Sequence, residues 1–104
     1  MAWFILLIAG LLEVVWALTL KYSDGMTKLW PSLATLVVAI ISLALLSIAM
    51  RSLPVGTAYG VWVGIGALGT AVMGVIVLGE AAGMLKIMSV LLILAGIVGL
   101  KISS

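Results

Sequence analysis

The sequence predicts an all-α membrane protein with four transmembrane helices, from its composition, its four charge-poor windows and the short polar connections between them. Of 104 residues, 66% are hydrophobic and 8% charged, against roughly 25% charged in a soluble globular chain. The windows are Met1–Leu20, Leu29–Met50, Ser52–Gly79 and Ala81–Leu100. About 20 helical residues cross a hydrocarbon core of about 30 Å. Four such windows fill residues 1–104 as a single transmembrane domain, with helices expected over about 3–20, 32–50, 55–78 and 84–102.

The first window reads as a mature helix rather than a cleaved signal, because no Lys or Arg precedes Lys21 and Glu13 interrupts the apolar run. The connection Lys21 to Lys28 is polar and contains Gly25, and Trp30-Pro31 then begins the second helix. Arg51-Ser52-Leu53 precedes Pro54, which marks the start of the third. Gly79 and Gly83 flank Glu80 in the last connection. The fourth helix requires Lys86 and Lys101 to extend their ammonium groups toward opposite surfaces. Loops this short make consecutive helices antiparallel, an up-down-up-down bundle.

The formal charge is +2, but the five basic residues fall at helix ends and read as interface anchors. With the N-terminus inside, Arg51 and Lys101 lie inside and Lys21, Lys28 and Lys86 outside. That distribution has no decisive bias. Insertion in both orientations, with antiparallel pairing of two copies, and a single orientation fixed by a partner or by the insertion machinery both remain open. Without cysteine there is no disulfide or thiolate metal site, and without histidine any proton chemistry falls to carboxylates. No nucleophile–base pair, phosphate loop, metal-ligand cluster or basic patch is present. The expected partners are therefore the lipid bilayer and small ions, with no nucleic acid, no cofactor and no enzymatic activity.

Glu13 is the one ionisable side chain deep inside an apolar window, where an unpaired charge costs about 3 kcal/mol or more. Function is the default reading at such a position, and a structural carboxyl bonded to a neighbour is the alternative. Gly10, Glu13 and Ala17 share a helix face with Trp16 beside it. A carboxylate there can exchange a proton for a cationic ligand. A four-helix chain has too little interior to enclose a pathway, whereas a dimer supplies a second Glu13 and a cavity between subunits. Two carboxylates facing one cavity couple, and a cation between them competes with their protons.

Ser42, a hydroxyl amid aliphatic residues, reads either as a pocket group or as a local bond to the carbonyl one turn earlier. Tyr59 and Trp62 lie on one stripe of the third helix, offering aromatic faces to a cation or simply packing. Gly56, Gly60 and Gly64 form overlapping GxxxG steps, and Gly64-Ile65-Gly66 doubles the glycine locally. Close helix packing and a flexible joint are both open. On the fourth helix Ser89, Gly96 and Gly99, flanked by Leu92 and Ile93, form a small-residue seam suited to a helix–helix contact.

These segments resemble the small multidrug resistance transporters, and more closely their guanidinium-exporter subtype. The matching residues are Gly10-Leu11-Leu12-Glu13-Val14-Val15-Trp16-Ala17, Leu20-Lys21-Tyr22-Ser23, Leu53 to Tyr59, Trp62, Gly64-Ile65-Gly66-Ala67 and Gly96-Ile97-Val98-Gly99-Leu100-Lys101. Glu13-x-x-Trp16 and the terminal Lys101 favour the guanidinium subtype. The resemblance implies an antiparallel, dual-topology homodimer in the bacterial inner membrane. It further implies both Glu13 side chains at one site where protons and guanidinium compete, Ser42 and Trp16 bonded to Glu13, Tyr59 and Trp62 framing the site, and a dimer contact on the fourth helix. Gly60 and Val63 depart from the family pattern, where Ala and a hydroxyl residue are usual. Both lie beside the presumed pocket and would loosen it.

The leading expectation is a proton-coupled antiporter exporting guanidinium or small substituted guanidinium cations. A promiscuous exporter of quaternary ammonium cations is the alternative favoured by Gly60 and Val63. A non-transporting assembly subunit, with Glu13 as a helix-pairing contact, is the alternative from a different class.

Overall fold

The computed structural model describes residues 1–103, which form the helices α1 (Ala2–Tyr22), α2 (Leu29–Ala49), α3 (Val55–Leu78) and α4 (Met84–Ser103). Each is long and apolar enough to cross a membrane. Twenty to 24 residues give about 30–36 Å of helix at the standard rise. The helix α2 begins at Leu29, three residues before the expected start, because Pro31 is only its third residue. First-turn amides have no intrahelical acceptor, so a proline there removes nothing.

The connections are closed locally, as a chain leaving hydrocarbon requires. After α1, the wholly buried Ser23 donates its hydroxyl to the Leu20 carbonyl at 2.6 Å and accepts the Met26 amide at 3.0 Å. That clamp holds Asp24, Gly25 and Met26 in the left-handed region, with φ of 51°, 72° and 69°. Pro54 precedes α3, and Gly79, left-handed at φ 69°, ends it by turning the following Glu80 amide back to the Gly74 carbonyl.

Helix α1 is central, packing on both α2 and α3, while α2 and α3 barely touch and the backbone of α4 approaches only that of α3. The core is Leu6, Ala9, Leu46, Ala49, Ala58, Val61 and Trp62. No described residue of α4 is buried. The helices therefore do not close into the expected bundle but form a slab of 40 × 34 × 17 Å, about one and a half helix diameters thick. Lipid tails are as apolar as leucine, so helices associate where backbones can approach, not wherever apolar faces exist.

Glycines set those approaches. A Cβ on Gly10 would lie 2.6 Å from Ile65 Cγ2, and one on Gly69 would collide with Val14, so both glycines bring α1 onto α3. On the other side of α3, a Cβ on Gly60 would lie 3.0 Å from Leu100 Cδ1 and one on Gly64 2.8 Å from Ile97 Cγ1. Gly56, by contrast, has nothing within 4 Å. Gly64→Ala should therefore lower stability by about 1–3 kcal/mol through overpacking against α4. Gly56→Ala should be neutral or slightly stabilising through helix propensity. Denaturant titration of the two purified variants in detergent checks the contrast.

Candidate functional site

Helix α1 carries Glu13 near its middle and turns it toward α3, where Gly66 provides the space: a Cβ on Gly66 would collide with the Glu13 carboxyl group itself. The side chain is half-buried. Among the described residues no hydrogen bond or ion pair reaches its carboxylate. Trp16, one turn further on, has its indole N–H buried with no partner. An unpaired carboxylate and an unpaired donor thus lie on one helix, both at the depth where each unsatisfied polar group is costly.

Ser42 and Trp62 are joined elsewhere. The Ser42 hydroxyl donates to the Ala9 carbonyl at 2.7 Å and accepts the Trp62 indole N–H at 3.0 Å. Within the chain Ser42 is therefore bonded neither to Glu13 nor to the carbonyl one turn earlier on its own helix, and Trp16 is not bonded to Glu13. The one hydroxyl proton of Ser42 is already committed to Ala9. Ala9 lies one turn before Glu13, so the bond chain Trp62–Ser42–Ala9 pins the α1 turn that carries Glu13 to α2 and α3 together. Tyr59 packs on Trp62 with ring centroids 5.6 Å apart at 50°.

Gly60 and Val63 do not adjoin Glu13. With Tyr59 and Gly64 they line a groove of about 580 Å³ between α3 and α4, walled opposite by Ile93, Gly96 and Ile97. The space left by Gly60 is taken up by Leu100. Gly64 and Gly66 lie in an unbroken α3; each has a neighbour that needs the missing Cβ, Ile97 and Glu13 respectively. Of the residues expected at a dimer contact, Ser89, Leu92 and Gly96 are exposed, with the Ser89 hydroxyl bonded back to Leu85 at 2.8 Å. Ile93 instead turns toward Gly64 within the same chain. Lys101 places its ammonium 4.8 Å from the Trp3 ring centroid, which sets the end of α4 beside the start of α1.

Two features lay outside the sequence expectations. The first is the role of Gly66 as the seat of Glu13; its position on the aromatic stripe of α3 was the available signal. The second is a hydroxyl pair between α1 and α2, Thr19 and Thr35 at 2.7 Å. The signal there is a threonine on each of two adjacent apolar helices.

Four helices long and apolar enough to cross a membrane, one of them carrying a carboxylate near its middle, define an integral membrane protein. Each helix satisfies its backbone hydrogen bonds within itself, as a segment spanning the lipid core must. The family model described as Small Multidrug Resistance protein matches residues 1–93. The chain belongs to that family. It is 61% identical over 104 residues to a protein named guanidinium exporter from Yersinia pseudotuberculosis, covering 100% of both chains. Proteins of the same name from Citrobacter freundii and Salmonella typhimurium are 59% identical over all of this chain and 99% of theirs.

The shared hydroxyl makes a measurable prediction. Ser42→Ala strands the Trp62 N–H and should cost about 1–3 kcal/mol, as should Trp62→Phe with its loss of the donor. The double variant should cost clearly less than the sum, because each change removes the same bond. A double-mutant cycle by denaturant titration reads the coupling.

Proposed function

We propose that the chain exports guanidinium or small substituted guanidinium cations in exchange for protons. In this reading its four helices act as one transmembrane unit. Two copies inserted in opposite orientations form a homodimer whose Glu13 carboxylates share one central site. The observation that carries the proposal is Glu13 itself, a carboxylate within the membrane, half-buried and unpartnered against Gly66. The names of the relatives supply the substrate class.

The chemistry follows from the environment. A carboxylate in hydrocarbon must be neutralised, either by binding a proton or by accepting a cation. When the two compete for one site, loading one releases the other, and exchange needs no further coupling device. Guanidinium is planar with donors in a fixed fork, so it meets a carboxylate through two parallel N–H contacts. The unpaired Trp16 N–H on the same helix offers an additional donor to the carboxylate after a rotamer change or across the dimer. The even spread of Lys21, Lys28 and Lys86 at one surface against Arg51 and Lys101 at the other supports two-way insertion. The exposed Ser89, Leu92 and Gly96 face of α4 supports a contact between copies. Gly60 gives its space to Leu100, which weakens the case for a loosened quaternary-ammonium pocket.

Glu13→Gln should fold but lose all proton-driven guanidinium exchange, because an amide can neither release a proton nor neutralise the cation. Proteoliposomes under an imposed pH gradient measure this, and wild-type protein that moves no guanidinium would falsify the proposal. Gly66→Ala keeps the carboxylate but displaces it, so exchange should fall by about tenfold to a hundredfold, while circular dichroism remains that of the parent.

A further inference from the structure

Between α1 and α3 lies a groove of about 390 Å³ with Ala17, Ala67 and Thr70 at its inner end and Lys21, Glu80 and Lys86 at its outer end. Ala17 is one turn beyond Glu13 on α1, and Ala67 follows Gly66 on α3. The groove therefore runs from the membrane surface to within a turn of the Glu13 seat. At its mouth the Lys86 ammonium contacts a single carboxylate oxygen of Glu80, Oε1, at 3.0 Å. Among the described residues Oε2 has no partner.

The carboxylate is held in place from behind. A Cβ on Gly74 would lie 2.9 Å from its Cδ, and the Glu80 amide donates to the Gly74 carbonyl at 3.1 Å. Lys86 is held less well. It is the third residue of α4, at the positive end of the helix dipole where a cation is disfavoured. With both partners partly exposed, such a pair contributes little.

We propose that Glu80 is an outer guanidinium-binding residue, at which the incoming cation displaces Lys86 before passing along the groove to Glu13. The exchange favours guanidinium because its two parallel N–H groups engage both carboxylate oxygens where the lysine engages one. A quaternary ammonium, with no N–H, lacks that advantage, so Glu80 discriminates at the entrance. Lys21 lines the same groove and opposes any cation, so entry depends on the two-point contact. The inference rests on the exporter reading for its purpose, but its binding step stands apart from Glu13.

Two measurements on the full chain test it. In Glu13→Gln protein in lipid bicelles, guanidinium chloride should cause saturable amide shifts around Gly74, Glu80 and Lys86. Tetramethylammonium chloride should not, and Glu13→Gln/Glu80→Gln should abolish the response. Absent or Glu80-independent shifts overturn the proposal, whatever the transport activity. In proteoliposomes, Glu80→Gln should raise the half-saturating guanidinium concentration about two- to fivefold, less at high salt, with the maximal rate unchanged. Lys86→Met should lower it. If both variants shift it in the same direction, the pair is merely a latch for the loop and the proposal falls. Saturable shifts in the Glu13→Gln protein together with no exchange by the wild-type protein would sink the exporter reading and leave the outer site standing.

Discussion

The contact between the Glu13 carboxyl group and Gly66 governs the rest of the structure. A carboxylate within hydrocarbon has few stable arrangements: it must be neutral, paired, or beside a space that a proton or cation can enter. Here α3 yields its own side-chain volume at Gly66, so the carboxyl lies against backbone rather than lipid. Gly10 and Gly69 on either side bring α1 and α3 together at that level, through Ile65 and Val14 respectively. Three missing side chains thus fix one present one. The groove that leads outward from this level runs between the same two helices, past Ala17 and Ala67, to Lys21 and Glu80.

Four polar side chains inside the slab, Ser42, Trp62, Thr19 and Thr35, are satisfied helix to helix, since no water competes in a bilayer core. Ser42 joins α2 to α1 through Ala9 and to α3 through Trp62; Thr19 and Thr35 join α1 to α2. Such bonds contribute modestly in membranes, about 0.6 kcal/mol on average. Their larger effect is to fix rotation, because a hydroxyl turned away from its acceptor would face lipid. With Ser42 tied to the turn before Glu13, the carboxylate keeps its bearing toward α3.

Much of the fold was legible in the sequence. Charge-poor windows and the Gly and Pro residues between them place four helices, and α3 begins right after Pro54 and ends at Gly79 as those residues require. Glu13 was legible because nothing else ionisable lies so deep. What the sequence could not supply was partner identity across helices. Ser42 was recognisable as a hydroxyl amid aliphatic residues, but its two open readings were a pocket role and a bond to the carbonyl one turn earlier, and only the relative rotation of α1 and α2 brings it to Ala9. Gly60 was read as pocket because it lies between Tyr59 and Trp62 in the chain. Within one copy it meets Leu100 of α4, in a groove that Tyr59 also lines. Ile93 was assigned to an outer seam for a similar reason: sequence places it beside Leu92, and rotation places it on Gly64.

Helix α4 carries the last step. In water its exposed leucines and isoleucines would demand a cover, but in lipid they demand none, and so its lack of burial says little by itself. Among the described residues the unmet polar demands are the Glu13 carboxylate and the Trp16 N–H on α1 and the Ser32 hydroxyl in the first turn of α2. In the proposed dimer a second copy meeting α4 would add no hydrophobic driving force over lipid, but by closing a cavity over α1 it would replace lipid with space for a cation and its hydrogen bonds. In the proposed dimer the energetic reason for association is therefore packing at the Gly96 face. The reason for its geometry is the unsatisfied carboxylate one layer away. In that dimer a single copy would provide the charge and the seat, and the second the enclosure.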